Sequence, residues 1–469
     1  MTEKLTVPDL DEDETITLNL LIQQLADKEK RNLIRQSIYD GKRAVKQVGT
    51  VIPQQYKNLG LALGWNAKGV DGLARRCNID EIIWPGGKLD DLGMSELQDS
   101  NFLLSELSQA RTDSLINGIS YTITTQGLEG EPKALVHTKT ALEATGTWNV
   151  RKKRLDNLLS ITGWHDNKIS SFVLYLDGVT ISGVKDGGRW SSTRSEHPWH
   201  VPADPHVYKP RSSRRTGRSR MSRPAIGFQD AALRGLIRME AHMDIYSVPK
   251  LVMLGADEKI FRNADGSVKP GWNFAFGRSF GIPDNEDSEY PQNARADVKQ
   301  FVAESPAPHL AQLNALAKLI AREFDLPDED FALADMANPT SAESYTASRE
   351  NLIAEAEGAT EDWTSATRRT VTRALAIQNG LDEIPKEWAT IAPKWRSPLY
   401  ISKAAAADAG AKQVGAIEWL KDTEVGLELI GLNPQQITRA LAEKRRAAGR
   451  SVLQALASRA VPQANANAE

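Results

Sequence analysis

Apolar residues at helical spacing open the chain. Leu18, Leu21, Ile22 and Leu25 share one face from Thr15 onward, and Leu33, Ile34, Ile38 and Val45 continue it to about Gly49. Ile52-Pro53 breaks the run, because proline cannot supply the N–H that the next helical turn needs. A shorter helix is predicted from Val70 to Cys77, with Asp71 and the Arg75-Arg76 pair turned outward. Met94 to Asn117 reads as a further helix carrying Leu97, Phe102, Leu103, Leu107 and Leu115.

The period then shortens to two. Ile119 to Thr124 alternates, and Ala134 to His137 resembles a partner strand. The clearest hairpin is Ser171 to Leu176, the turn Asp177-Gly178, and Val179 to Val184, closed by Asp186-Gly187-Gly188. An Asp-Gly turn of this kind asks for positive φ at both central residues. Helices first and a sheet after give an α+β unit over the first part of the chain.

Helical spacing returns with Ile226, Phe228, Ala232, Leu236, Met239, Met243 and Tyr246, stopped by Ser247-Val248-Pro249. Up to about Ser305 the chain is punctuated by Gly and Pro. Leu251 to Leu254, the turn Asn263 to Gly266, and Trp272 to Phe276 suggest short strands and loops in a unit too small to be very stable alone. A helix on Leu310, Leu313, Ala317, Ile320 and Phe324 follows, ending at Leu326-Pro327. Asn338-Pro339 is a strong helix start, and that helix is predicted to reach Asn379-Gly380 with Tyr345, Leu352, Trp363, Val371 and Leu375 inward. Trp388 to Tyr400 reads as irregular. Ala404 onward is helical, and Asn433-Pro434 caps a last helix to about Ala460, before a tail expected to be disordered. The fold class expected is α+β, mainly helical.

Composition narrows the options. The 469 residues, 41% apolar and 25% charged, suit several compact units of a soluble protein, and no apolar run reaches the length that spans a bilayer. The polar, acidic start is neither a signal nor a transit peptide. Cys77 is the sole cysteine, so no internal disulfide forms, a reducing compartment is expected, and a small buried hydrophobe is its simplest role.

Charge is concentrated in one place. Lys209, Arg211, Arg214, Arg215, Arg218, Arg220 and Arg223 lie within fifteen residues that contain no Asp or Glu. The rest of the chain has 51 basic residues (58 less these seven) against 61 acidic ones, net −10. Such a tract repels itself and needs solvent or an anion. It is either a flexible surface loop or a contact for phosphate, and seven duplex-phosphate contacts would give a log–log salt slope of about −6. No interleaved aromatic offers a stacking platform for single strands. Sequence-blind binding is the form expected. Opposite in sign, Glu323 to Ser348 contains seven acids and no Lys or Arg, including Asp325, Asp328, Glu329, Asp330 and Asp335.

Catalytic patterns are missing from the chain. It has no phosphate-binding Gly-rich loop ending in Gly-Lys-Ser/Thr, no Gly-x-Ser-x-Gly and no His-Glu-x-x-His. His197, His200 and His206 with Asp204 match no zinc spacing, and the acidic stretch has no EF-hand order. No metal, cofactor or catalytic residue is expected, which argues against a nuclease or ATPase.

Four stretches, taken in order, resemble one family. They are Tyr39-Asp-Gly41 with Val51-Ile-Pro53, Gly64-Trp65 and Val70-Asp71; Gly217 to Arg223 leading into Asp230 to Arg234 and Met239-Glu240; Leu319 to Arg322 with Leu326-Pro327 and Asn338 to Glu343; and Gly431 to Pro434 running to Arg446 to Arg450. Their order and spacing resemble the Siphoviridae-type phage portal proteins, in the branch common among actinobacterial phages.

The resemblance implies a multi-part subunit (wing, stem, clip, crown) forming a ring, usually a dodecamer, at one capsid vertex. Double-stranded DNA would be packaged and ejected through its channel. Terminase large subunit, head-completion or adaptor and tail proteins, and the major capsid and scaffold proteins would be its partners, with assembly in the host cytoplasm and no membrane.

Transferred to this chain, residues 1–205 would be wing, 206–248 the basic tract and first stem helix, and 249–305 the clip. Residues 306–326 would be the second stem helix and 327–340 the tunnel loop, with Asp328, Glu329, Asp330, Asp335 and Asn338. Residues 341–395 would be the long wing helix, and 396–469 the crown and tail. The cationic tract would contact DNA or a neighbouring subunit, and the acidic loop would keep a sliding duplex from being gripped. Replacing Arg214, Arg215, Arg218 and Arg220 by Ala should then impair packaging or ring formation while each subunit stays folded. The alternative is a sequence-nonspecific double-stranded-DNA-binding or capsid structural protein without a channel.

Overall fold

A computed structural model describes residues 4–43, 56, 60–246, 250–254, 261–268, 297–301, 305–331, 347–399 and 403–459. The chain divides into two compact units, Met1–Pro398 and Leu399–Glu469.

Helix α1 (Glu12–Tyr39) starts at a capping box in which Asp11 accepts from the Glu14 N–H and the Glu14 carboxylate accepts from the Asp11 N–H. It stops at Asp40, ten residues short of the predicted end, with Gly41 following at φ 67°. Val45 and Val51 to Pro53 lie outside the described residues. Leu18, Leu21, Ile22 and Leu25 are buried as expected, whereas Leu33 and Ile34 are 50% and 40% exposed. The predicted stripe leaves the core at Leu33 and Ile34 and returns to it at Ile38, which is 1% exposed as expected.

Helix α2 (Trp65–Ala74) is followed by strand β1 (Ile79–Ile83), helix α3 (Met94–Asn101) and helix α4 (Leu103–Asn117). The single helix expected over Met94 to Asn117 is broken at Phe102, which adopts a left-handed conformation (φ 48°) and is 76% exposed rather than inward.

Eight strands come next: β2 (Ile119–Gln126), β3 (Ala134–Thr140), β4 (Ala144–Asn149), β5 (Arg154–His165), β6 (Lys168–Leu176), β7 (Val179–Asp186), β8 (Arg189–Glu196) and β9 (Ala203–Val207). β4 to β8 form an antiparallel meander in sequence order, and β2 lies between β3 and β9 in a second sheet. The hairpin at Asp177-Gly178 has the predicted register, Leu176 opposite Val179, but only Gly178 has positive φ. Two consecutive positive φ values occur instead in the turns on either side, Asp166-Asn167 before β6 and Gly187-Gly188 before β8. The buried side of α1 packs on the meander, with Leu18 and Leu21 in one cluster with Leu159, Phe172 and Leu174.

Helix α5 (Arg223–Tyr246) and helix α6 (Ala307–Glu323) match the two predicted helices. They lie side by side, the His242 and His309 rings 5.2 Å apart. Between them, strands β10 (Lys250–Leu254) and β11 (Asp297–Phe301) pair antiparallel, and Gly266 closes the expected turn at φ 83°. Trp272 to Phe276 lies outside the described residues.

Helix α7 (Glu350–Gln378) buries Leu352, Trp363, Val371 and Leu375 as predicted; its proposed start at Asn338 and Tyr345 are outside the described residues. Strand β12 (Ala392–Trp395), in a stretch read as irregular, pairs with β1. In the second unit, helices α8 (Lys403–Ala416), α9 (Glu424–Leu429) and α10 (Pro434–Arg459) follow in order.

Candidate functional site: the basic loop and the foot of α6

The basic tract is an ordered loop. Tyr208 N donates to Gly118 O, Arg218 N to Tyr208 O and Arg220 N to Leu115 O, at 2.8–3.1 Å, so the loop is stitched to the end of α4. Arg211 and Arg214 exchange backbone hydrogen bonds in a tight turn between these anchors. Gly217 makes the closure possible: its φ is 62°, and a Cβ there would lie 2.3 Å from Tyr208 O. Lys209, Arg211, Arg214, Arg215, Arg218 and Arg223 are exposed.

Arg220 is the exception, and it corrects the sequence reading. It is 5% exposed. Its Nε donates to Gly69 O in α2 at 2.9 Å and an Nη to Phe324 O, the C-cap of α6, at 2.7 Å. The other Nη pairs with the Glu355 carboxylate of α7, and the guanidinium lies 5.6 Å from the Phe324 ring centroid. Tyr208 and Lys209 also donate to Glu355. Burial alone would raise the Glu355 pKa; the Arg220 charge and these hydrogen bonds outweigh it and hold the carboxyl below its ordinary range. Burial likewise opposes the Arg220 charge, and Glu355 more than offsets it.

The lock ties α2, the loop, the foot of α6 and α7 together. Gly69 is small because a Cβ would lie 2.6 Å from the Phe324 ring. Helix α6 ends where Asp325 takes φ 50° and Leu326 N donates to Ala321 O at 2.9 Å, a Schellman closure built on Asp instead of Gly. Arg220 therefore satisfies a helix-terminal carbonyl where positive charge is favoured. It is internal structure in this subunit, and the quadruple replacement that includes it would not leave the fold intact.

Helix α1 adds cations that the tract alone did not reveal. Arg35 donates to Asn117 O at 3.1 Å, and its pKa is lowered to about 10 by burial and by the charges of Arg31 and Arg214. A groove of about 510 Å³ lies here, with Ile34, Met221 and Ile226 inside and Lys30, Arg31 and Arg223 at the rim. The signal in the sequence was Lys30, Arg31 and Arg35 on one predicted helix, far from the tract in number but beside it in space.

The acidic residues are partly engaged. Asp328–Asp330 form one short helical turn. Asp330 pairs with Arg349 at 3.2 Å, and Lys68 donates to its carbonyl while lying 5.4 Å over the Phe331 ring. Glu329 is exposed and Asp328 half-buried; Asp335 and Asn338 lie outside the described residues. The histidines point to separate partners: His206 to Thr122, His200 to Asp177 and His197 to Thr180. Among the described residues no group of three or more potential ligands converges on a metal position, and no described helix is long and apolar enough to cross a membrane. Cys77 is fully buried, and burial pushes its thiol up to about 12.

Two adjacent helices thus flank a small β unit, and an exposed cationic loop is fastened at their foot. The family model described as phage portal protein, SPP1 Gp6-like, matches residues 19–449, and the chain belongs to that family. It is 22% identical over 427 residues to the portal protein of Mycobacterium phage L5, covering 86% of this chain and 83% of that one. For the portal protein of Mycobacterium phage D29 the identity is 23% over 413 residues, with the same two shares. Among solved structures, a chain in the neck of a native gene transfer agent particle computed with C12 symmetry is 16% identical with a TM-score of 0.41, over 79% of this chain and 92% of that one.

Proposed function

We propose that copies of this chain close into a ring, a dodecamer in the form expected, whose channel passes double-stranded DNA into and out of the head. In this reading 223–246 and 307–323 are the stem, 250–301 the clip, 347–395 the wing helix, and 399–459 the crown. Terminase and the adaptor dock on the ring's outer surfaces, the capsid and scaffold proteins surround it, and the chain itself does no bond chemistry. The observation that carries the reading is the loop at 209–218: five cations, all but Lys209 away from the Glu355 carboxylate, held outward on an ordered anchor. Charges fixed in that way serve phosphate or a carboxylate-rich neighbouring surface.

The test uses the full chain. Electron microscopy and native mass measurement should find closed rings, and Arg211→Ala/Arg214→Ala/Arg215→Ala/Arg218→Ala should fold normally yet lose packaging or ring closure. Wild-type-like phage yield from that variant would remove the functional reading of the loop, and a chain that stays monomeric at high concentration would end the ring.

A further inference from the structure

The 399–469 unit presents two exposed apolar patches of opposite charge. One is centred on Trp419, 72% exposed, with Ile417 at 43% and Val425 at 54%; Glu418 and Glu424 are exposed beside them. Although Lys421 pairs with Glu418 at 3.8 Å, residues 418–425 hold three acids against that one cation. The other is helix α10. From Arg439 to Arg459 it carries six cations (Arg439, Lys444, Arg445, Arg446, Arg450, Arg459) against the single acid Glu443, and Val452 and Leu453 are 58% and 67% exposed.

Among the described side chains of this 26-residue helix only Ile437 is buried. Helices owe most of their stability to packing one face, and α10 has little packed face of its own. Large exposed apolar groups rimmed by charge mark interaction surfaces, and a tryptophan in the centre of one is a typical anchor of binding energy.

The cations and the apolar pair fall on two neighbouring rows of α10. Arg446, Arg450 and Leu453 fall at i, i+4 and i+7, and Arg445 and Val452 are seven apart. Duplex DNA is a poor occupant for this unit, since the Trp419 patch is acidic and Val452 and Leu453 have no apolar counterpart on phosphate. The chain's own composition supplies a better one. A ring contact is heterologous, so each subunit must carry two different, mutually complementary surfaces, and these two patches match in both charge and apolar character. Lys444 and Asp422 already form an ion pair within one chain, so the two charge types are compatible at close range.

We propose that α10 of one copy docks on the Trp419 patch of the next, with Trp419 against Val452 and Leu453 and the Glu418 and Glu424 carboxylates facing Arg445, Arg446 and Arg450. The contact rests on the ring proposed above and assigns one of its seams to the C-terminal unit.

Charge reversal tests it in the full chain. Native mass measurement of purified protein gives the fraction in rings, and circular dichroism with thermal unfolding reports whether each subunit is folded. Arg445→Glu/Arg446→Glu/Arg450→Glu, Glu418→Lys/Glu424→Lys and Trp419→Ala should each stay folded and lower ring affinity about tenfold or more, the equivalent of about 1.4 kcal/mol at each seam. Combining the two reversed sets should restore rings. Undiminished rings from the single-side variants overturn the proposal, and so does a combined variant that is folded but fails to recover, which would assign the patches to another protein. If the wild-type chain forms no rings at all, it is the ring itself that fails.

Discussion

Arg214 and Arg220 stand six residues apart in the same cationic tract, and the fold treats them oppositely. Arg214 is exposed at the tip of a turn, while Arg220 is buried against Glu355, Gly69 and Phe324. The contrast extends to whole regions. The interior lock is a set of charges removed from water and saturated with hydrogen bonds, so removing one member strands the others. The surface loop is a set of charges left in water, where removing one costs the fold almost nothing. Composition groups the two kinds of arginine together; burial separates structural charge from working charge.

The sharpest way to break the comparison is at Arg220. Arg220→Ala should destabilise the subunit by about 3–5 kcal/mol, since Glu355 loses its buried countercharge and two carbonyls lose their donor; equilibrium denaturation measures it, and a loss like that of a surface arginine would erase the distinction. Arg220→Lys should recover only part, because a single ammonium cannot reach all three partners.

Gly69→Ala comes next. Forcing the Phe324 ring away from its Cβ should cost about 1–3 kcal/mol, and an unchanged melting temperature would show that the foot of α6 is not tightly seated.

A third measurement uses acid, which reaches the buried titratable groups of the interior. Burial lowers the pKa of His206 to about 3 and that of His137 to about 4, below the unfolded value of about 6.5. Between those values the unfolded chain binds protons that the folded chain refuses, so both contributions are present above pH about 6.5 and decline as pH falls. Asp113 works the other way: burial, then the charges of Glu143 and Glu106, raise it to about 7. Its folded form keeps a proton, and stability from it is lost as pH rises through that range. Taken alone, these two histidines should weaken the fold on acidification from about 6.5 towards 4, by about 1.4 kcal/mol per pH unit for each proton that only the unfolded chain binds. Asp325 and Asp362, both raised by burial, act in the same sense as Asp113. Glu355, held below its ordinary range, keeps its contribution until lower pH still. His206→Gln should flatten the profile; a profile as steep as wild type would contradict it.

The smallest stability effect belongs to the loop. Arg211→Ala/Arg214→Ala/Arg215→Ala/Arg218→Ala should change unfolding free energy by less than about 0.5 kcal/mol per site and leave the pH profile alone. If the loop meets duplex phosphates, the same variant should reduce the salt slope of DNA binding by about 0.9 for each phosphate it no longer neutralises.

The long periodic elements were legible in the sequence. Helices α5 and α6, the buried face of α7 and the hairpin at Asp177-Gly178 emerge from spacing and turn chemistry, because each is set by residues near one another in the chain. The misses have a common cause. Phe102 breaks a helix that periodicity joined, and Leu33 and Ile34 leave a face that periodicity extended, because packing against other elements overrides local pattern. β1 and β12 were overlooked since each is short and gains its ladder only from a partner more than three hundred residues away. β8 is mostly Ser, Thr and charge, so nothing in its hydropathy announced a strand; the Gly187-Gly188 turn and the neighbouring β7 create it.

The sequence by itself determined where the cations accumulate, where helices and turns must fall, and to which family their order belongs, for these depend on short-range geometry and on residues counted along a line. Only the tertiary structure decided which arginine is sealed inside, which helix-one cations join the loop, and which face of the C-terminal helix is left bare. Those are questions of distance from water, and burial depends on elements that meet across the whole chain.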